Sequence, residues 1–432
     1  MDILEIINNK YNGLELHKSD VEAVILGYAD SKIDDNAMKK FLEAIYKNSM
    51  TEKEIADFVD VLIHSEKTLE PPLRTIARYS SDTIMDGSTL ILTSLLSSMG
   101  VKILNISDDD SLDLENTCGL KLNLSDDEII KQMDDIKAVF TKYSDSPCLL
   151  NKKIFDLAVS NNIVSLPLVI INNLCKLLIS NSNVIVFDIK IGLNSYINNL
   201  EDAKEAADII MKIGSLKGKR IICVLSNRDI PLGRCIGGSL ELLEVEDTLK
   251  GHGTSELNEY IINLGSLMLS LDKDTPIEES IEYMENALEN STGYDKFKSI
   301  IEYQKGNLEG ICVSNRKITL KSLHNGYISN INLCKLNSLA KELGMGDNNI
   351  VNSSVGFKLH KTVGDYVTKN DELITVYYKD HDLTLNSIYE CFKYTNEKKE
   401  KQNIIFDIIK KFSFLFSQFP TILSNYIHNY FV

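Results

Sequence analysis

Two short, unbroken apolar runs constrain this chain more than any other feature. Val184-Ile-Val-Phe-Asp-Ile189 and Arg220-Ile-Ile-Cys-Val-Leu225 lack the alternation of a strand with one wet face. Each reads as a strand buried on both sides, the habit of parallel sheets. A helix is predicted between them, from Leu200 to about Gly214, and strand, helix and strand in this order form the repeating unit of an α/β fold. With 432 residues the chain exceeds one ordinary core and is expected to hold two or three compact units.

The first seventy residues read as helical. Ser19-Asp-Val-Glu22 and Thr51-Glu-Lys-Glu54 both match a capping box, and Asp34 or Asp35 is placed to cap a further helix through Met38, Phe41, Leu42 and Ile45. Residues 151–180 are helical in pattern as well. A helix over 88–99 and a strand over 101–106 follow the loop near residue 80. Beyond residue 312 the pattern turns β-rich, with Asn325-Gly326 between Lys317-Ile-Thr-Leu and Tyr327-Ile-Ser-Asn-Ile predicting a hairpin. The stretch 404–416 is apolar and helix-like.

Composition excludes several function classes. A formal net charge of -16 opposes nucleic acid and anionic membranes, which need clustered Lys and Arg, and the cluster Lys398-Lys-Glu-Lys401 is broken by glutamate. No apolar run spans a bilayer and no basic, apolar leader follows Met1, so the expectation is cytoplasmic. The eight cysteines show neither CxxC pairs nor zinc spacing and are expected as reduced, mostly buried thiols. Asp108-Asp-Asp110 reads as a hydrated acidic turn rather than a cation site, and neither a metal nor a cofactor is expected.

The stretch Arg78-Tyr-Ser-Ser-Asp-Thr-Ile-Met-Asp86 stands where a strand runs into a helix, the usual place for a phosphate-cradling glycine loop, and contains no glycine. With its helical start, Leu26-Gly-Tyr28, Ala44-Ile-Tyr46, Asp188-Ile-Lys190, Pro231-Leu-Gly233, Thr248-Leu-Lys-Gly251 and Val355 to Val367, the chain resembles the pyrimidine-nucleoside phosphorylase family. Its thymidine and uridine phosphorylases carry Lys-His-Ser-Thr-Gly-Gly-x-Gly-Asp at this loop. The resemblance, which runs from residue 1 to about 378, implies an α/β fold of three parts. These are a helical dimerisation domain (1–70 plus 151–181), a parallel-sheet α/β domain (72–150 plus 182–311) and a C-terminal α+β domain (312–432). It also implies a homodimer, and for a non-catalytic relative the expectation extends to pairing with itself or with an active paralogue.

Carried over residue by residue, the resemblance leaves phosphate-site remnants at Arg78, Ser80, Thr89 and Ser107, and base-site remnants at Tyr79, Asn172 and Lys176. Lys176 reads equally as a solvated lysine near a helix C-terminus. Against activity stand Asp82, Thr83 and Met85, which replace the three glycines, and Leu157, which replaces the base-holding Arg. Backbone amides approach a dianion closely only where side chains are absent. A carboxylate about 4 Å from a phosphate charge adds repulsion of roughly 1 kcal/mol in water and about 4 kcal/mol at intermediate dielectric. Leu232 with Glu241 or Glu244 lies near the family's monovalent-cation site. The expectation is a non-catalytic or strongly impaired relative with a binding or regulatory role. The alternatives are an active phosphorylase with an atypical pocket and a related phosphoribosyltransferase of the anthranilate type.

Overall fold

A computed structural model of the chain describes residues 3–64, 75–81, 87–107, 113–142, 149–179, 182, 184–193, 195–344, 352–379, 385–398 and 402–410. It opens with α1 (Ile3–Tyr11), α2 (Lys18–Ala29), α3 (Asp35–Asn48) and α4 (Glu52–His64). Asp34 caps α3 by accepting from Ala37 N at 2.8 Å. Thr51 and Glu54 form the expected capping box, with Thr51 N donating to Glu54 Oε2 and Glu54 N to Thr51 Oγ1. The box expected at Ser19 is displaced by two residues: α2 starts at Lys18, and Asp20 reaches back to the amide of His17 at 3.1 Å.

Next come β1 (Ile76–Ser80), α5 (Gly87–Ser98), β2 (Ile103–Ser107), α6 (Leu114–Cys118), α7 (Asp126–Asp135) and β3 (Ala138–Lys142). The helices α8 (Leu149–Ser160) and α9 (Leu166–Ile179) follow. They pack with α1 to α4 through one apolar cluster that includes Phe41, Phe58, Ile154 and Leu174. The chain then returns to β4 (Val184–Ile191), α10 (Leu200–Leu216) and β5 (Arg220–Asn227). As the unbroken apolar runs predict, β4 is buried along its whole length and pairs in parallel with β5 on one side and β1 on the other.

Past β5 lie the short β6 (Cys235–Ile236), α11 (Gly238–Asp247), a π-helical turn (Thr248–His252), α12 (Ser255–Lys273), α13 (Ile277–Glu289) and α14 (Thr292–Tyr303). The second large core, against the other face of the sheet, is built from α5 and α12 to α14. The C-terminal part contains β7 (Lys317–Lys321), β8 (Gly326–Ile331), α15 (Leu333–Gly344), β9 (Gly356–Leu359), β10 (Tyr366–Val367), β11 (Glu372–Tyr377), α16 (Leu385–Tyr389) and β12 (Phe392–Thr395), with its own core. Last comes β13 (Ile405–Ile409). The architecture is thus a helical N-terminal domain, a parallel-sheet α/β core and a small C-terminal domain.

Two expectations for the C-terminal part are corrected. Asn325-Gly326 is no hairpin, because β7 pairs with β11 while β8 pairs with β10 and β12 in a separate sheet. Gly326 answers a different need: a Cβ there would stand 2.8 Å from Thr395 O on the neighbouring strand. The 404–416 stretch is not helical where it is described. Its residues 405–409 leave the C-terminal part and add an antiparallel edge strand beside β5. Ile404, Ile405 and Ile408 pack into the core on one face of the sheet and Ile409 on the other, with a register shift between Ile405 and Asp407 that changes which side chains face each way.

Candidate functional site

The central sheet has the order β13-β5-β4-β1-β2-β3. From β1 the chain proceeds outward through β2 and β3, then turns back to place β4 and β5 on the opposite side. The reversal falls between β1 and β4, and the crevice at the carboxyl ends of such strands is where open α/β sheets bind ligands.

A buried polar network occupies this position. Arg78 on β1 donates from Nη1 to Thr89 Oγ1 at 2.6 Å, and from Nη2 to the Tyr260 hydroxyl at 2.6 Å and to Asp188 Oδ2 at 3.3 Å. Lys190 Nζ lies 2.8 Å from the same carboxylate oxygen and 3.1 Å from the Tyr260 hydroxyl. Its ammonium also stands 4.3 Å from the centre of the Tyr260 ring, close enough for a cation–π contribution. Ser226 on β5 donates to Asp188 Oδ1 at 2.5 Å, and Tyr260 donates to Oδ2. Ser81 joins β1 to β4 twice, accepting from Lys190 N and donating its own amide to Asp188 O, both at 2.8 Å. Burial alone would raise the Asp188 pKa. The Lys190 ammonium, then the Arg78 guanidinium, outweigh it and hold the carboxyl below the usual carboxylate value.

The structure thus brings two phosphate-site remnants together, Arg78 and Thr89, by joining them to each other. Ser80 is half-buried at the end of β1, in register with Asp188, and Ser107 closes β2. Tyr79 projects from the opposite face of β1, where it packs with Leu157 of α8 against the helical-domain core. Asn172 on α9 is buried and accepts from Asn151 Nδ2 at 3.1 Å. Lys176 is half-buried one turn further along α9. Asp82, Thr83, Met85 and the acidic turn 108–110 lie outside the described residues.

Sequence reasoning marks Asp188 and Lys190 as scaffold and misses Tyr260. A signal for the first exists: Asp188 is the one acid inside an apolar strand, and a carboxylate buried there requires a cation. A tyrosine among the apolar positions of α12 carries no such mark.

A cleft of about 440 Å³ opens beside the network, between the carboxyl ends of β4 and β5 and the C-terminal domain. Lys190 connects the two, since it belongs to the network and lines the cleft. Gly87 and Ser88, the opening of α5, also line it, whereas Arg78, Ser80, Thr89, Tyr79, Asn172 and Lys176 do not. Glu244 in its wall accepts from Arg234 N at 2.6 Å and Cys235 N at 3.2 Å, and burial raises its pKa despite these bonds. Among the described residues no cluster of three or more His, Cys, Asp or Glu side chains could hold a metal ion, and no helix is long and apolar enough to cross a membrane.

Fold and site together define the class: an α/β protein with a helical domain, a parallel sheet whose switch point carries a polar network, and a small C-terminal domain. Residues 4–65 match the helical bundle domain of the glycosyl transferase family, and residues 327–395 match the pyrimidine nucleoside phosphorylase C-terminal domain. The chain is 28% identical to the pyrimidine-nucleoside phosphorylase of Geobacillus stearothermophilus, across 95% of this chain and 100% of that protein. It is also 28% identical to that of Bacillus subtilis (strain 168), across 92% of this chain and 98% of that protein. Together these matches support assignment of the chain to the pyrimidine-nucleoside phosphorylase family. Its fold is similar to anthranilate phosphoribosyltransferase from Thermus thermophilus, with a TM-score of 0.54 at 11% identity, over 69% of this chain and 99% of that one.

Proposed function

We propose that this chain is a non-catalytic or strongly impaired relative of the pyrimidine-nucleoside phosphorylases, acting as a binding or regulatory protein. The observation that carries the reading is the engagement of Arg78. Both terminal nitrogens of its guanidinium are hydrogen-bonded to protein, one to Thr89 and the other to Tyr260 and Asp188. A cation that grips a phosphate must present those donors to it. Loss of the loop glycines to Asp82, Thr83 and Met85 removes the close backbone approach the anion needs. On the base side, Leu157 packs against an apolar cluster, and an aliphatic side chain in the place of the base-holding Arg offers no donor to a pyrimidine carbonyl or to the charge that develops on a departing base.

Similarity to named phosphorylases along nearly the whole chain favours a second reading, an active enzyme with an atypical pocket. Phosphate would then be held by Arg78, Ser80, Thr89 and Ser107 and would attack the anomeric carbon of the sugar, with Asn172 and Lys176 holding the base. Incubating the purified chain with thymidine, uridine or deoxyuridine in phosphate buffer separates the two readings. The first expects no release of free base above background. Turnover at ordinary enzyme rates, on the order of 1 per second or more, overturns it.

The helical domain exposes Leu4, Tyr11, Leu14 and Tyr46, which supports a homodimer formed through it, and we place the protein in the cytoplasm. Light scattering behind gel filtration tests the dimer, and a single species of 48.6 kDa would refute it.

A further inference from the structure

We propose that the cleft between the central sheet and the C-terminal domain is a binding site for a small organic anion, an apolar or aromatic body bearing one phosphate or carboxylate group. The inference goes beyond the reading above: it assigns a site outside the phosphate and base remnants, and it stands whether or not nucleosides are cleaved.

The cleft has the size and position of a ligand site. Its volume of about 440 Å³ falls within the roughly 300–1,000 Å³ usual for small-molecule pockets, which favour domain boundaries and the carboxyl ends of parallel strands. Ile91, Ile230, Leu232, Leu257, Leu333 and Val355 give it apolar walls suited to a planar body.

The charged groups in the walls are not equivalent. Its three acids are turned into the wall's own hydrogen bonds: Glu244 to the amides of Arg234 and Cys235, Glu241 to the amide of Gly237 at 3.0 Å, and Asp113 to Asn116 Nδ2 at 2.9 Å. The cations come from three different elements that converge on the cleft. Lys190 stands at the end of β4, Arg228 immediately past β5 and Lys341 on α15. Arg228 lines the cleft and donates from Nη2 to Cys334 Sγ on α15 at 3.2 Å, which holds its guanidinium across to the opposite wall. The first residues of α5 and α11, helices of 12 and 10 residues, also line the cleft, and helix N-termini favour negative charge. Lys190 is held by Asp188 and Tyr260, so Arg228, Lys341 and the two helix N-termini are what favour an anion over the hydrogen-bonded acids, and the apolar walls require that it carry a body.

Calorimetric titration of the full chain tests this, using uridine 5′-monophosphate and 1-naphthoate as the anionic probes and uridine and inorganic phosphate as the controls. At least one anionic probe is expected to bind at least about tenfold more tightly than either control, the scale of one charge-assisted contact. Which of them binds distinguishes a phosphate ester from a carboxylate. Arg228→Gln should weaken that binding about tenfold. Ser338→Phe, on the exposed face of α15 at the cleft mouth, should block it without changing a charge. Lys341→Gln, also at an exposed position, gives a folded charge variant if Arg228→Gln disturbs the wall. Failure of both anionic probes to bind the unmodified chain overturns the proposal. So does binding that is unchanged in Ser338→Phe and in the folded charge variants but lost in Arg78→Ala, because the remnant site would then be the one occupied.

Discussion

Arg78 Nη1 and Thr89 Oγ1 lie 2.6 Å apart, so the carboxyl end of a central strand is fastened to the first turn of the helix that follows it. The same guanidinium reaches Asp188 on the next strand and Tyr260 on α12. The network therefore ties two neighbouring strands of the sheet to two helices on one of its faces, at the point where the topology reverses.

Asp188 is the centre of that tie, fully buried between two cations. Asp188→Asn leaves Arg78 and Lys190 in the interior without their carboxylate and should cost about 3–5 kcal/mol at neutral pH. Because the folded pKa of Asp188 lies below the ordinary 3.8, its contribution is complete above that value and is lost as pH falls through the lower folded value. Urea unfolding of the two proteins should thus differ most near neutral pH and converge in acid. A gap that stays constant down to pH 2 would contradict the assignment.

In the helical domain, Lys10 Nζ sits 2.7 and 2.9 Å from the two carboxylate oxygens of Glu54, and both side chains are almost wholly buried. Glu54 also accepts from Leu16 N at 2.9 Å and Thr51 N at 2.8 Å, so one acid serves a helix cap, a loop and an ion pair. Lys10→Met should destabilise the chain by about 3–5 kcal/mol through the stranded carboxylate. A change in unfolding free energy below about 1 kcal/mol would place this pair with exposed ion pairs instead.

What can be read from the sequence depends on how local the determining contact is. Burial of β4 and β5 is written in their own residues, and Asp34, Thr51 and Glu54 act within one helical turn. Gly326 misleads because its demand comes from Thr395, a partner 69 positions away that no local pattern reveals. Residues 405–409 mislead because Ile404, Ile405, Ile408 and Ile409 fit a helical period rather than strand alternation when taken alone, and pairing with β5, through a register shift between Ile405 and Asp407, selects the strand. Arg78, Thr89, Asn172 and Lys176 are picked out by resemblance. That Arg78 and Thr89 hold one another follows only from the geometry that Asp188 and Tyr260 impose.

If the missing glycines and the engagement of Arg78 are what weaken the phosphate site, restoring both should recover it. The variant combining Arg78→Lys, Asp82→Gly, Thr83→Gly and Met85→Gly frees backbone amides for an anion and removes a carboxylate. A lysine also has a single donor head and cannot bridge Thr89 while reaching Tyr260 and Asp188. Phosphate should raise its melting temperature, as a ligand selective for the folded state must, and leave that of the unmodified chain unchanged at the remnant site. Equal shifts in the two proteins would show that these four positions do not control phosphate.

Gly237 and Gly356 hold the C-terminal domain to the α/β core. Strand β6 leaves the core to become an edge of the C-terminal sheet, pairing Ile236 with Phe357. Gly237 has φ +115° and its Cβ would stand 2.5 Å from Val355 O, while Gly356 has φ +151° and its Cβ would meet Ile236 O at 2.1 Å. Neither position can accept a side chain while the strands stay paired. Backbone strain alone makes Gly356→Ala cost about 1–3 kcal/mol, and the clash with Ile236 O adds to it. Since Ile236, Gly237 and Val355 also line the cleft, the substitution should both lower the unfolding midpoint and weaken capture of the anionic probe that binds the unmodified chain. Loss of stability with probe binding intact would mean that the cleft does not depend on this junction.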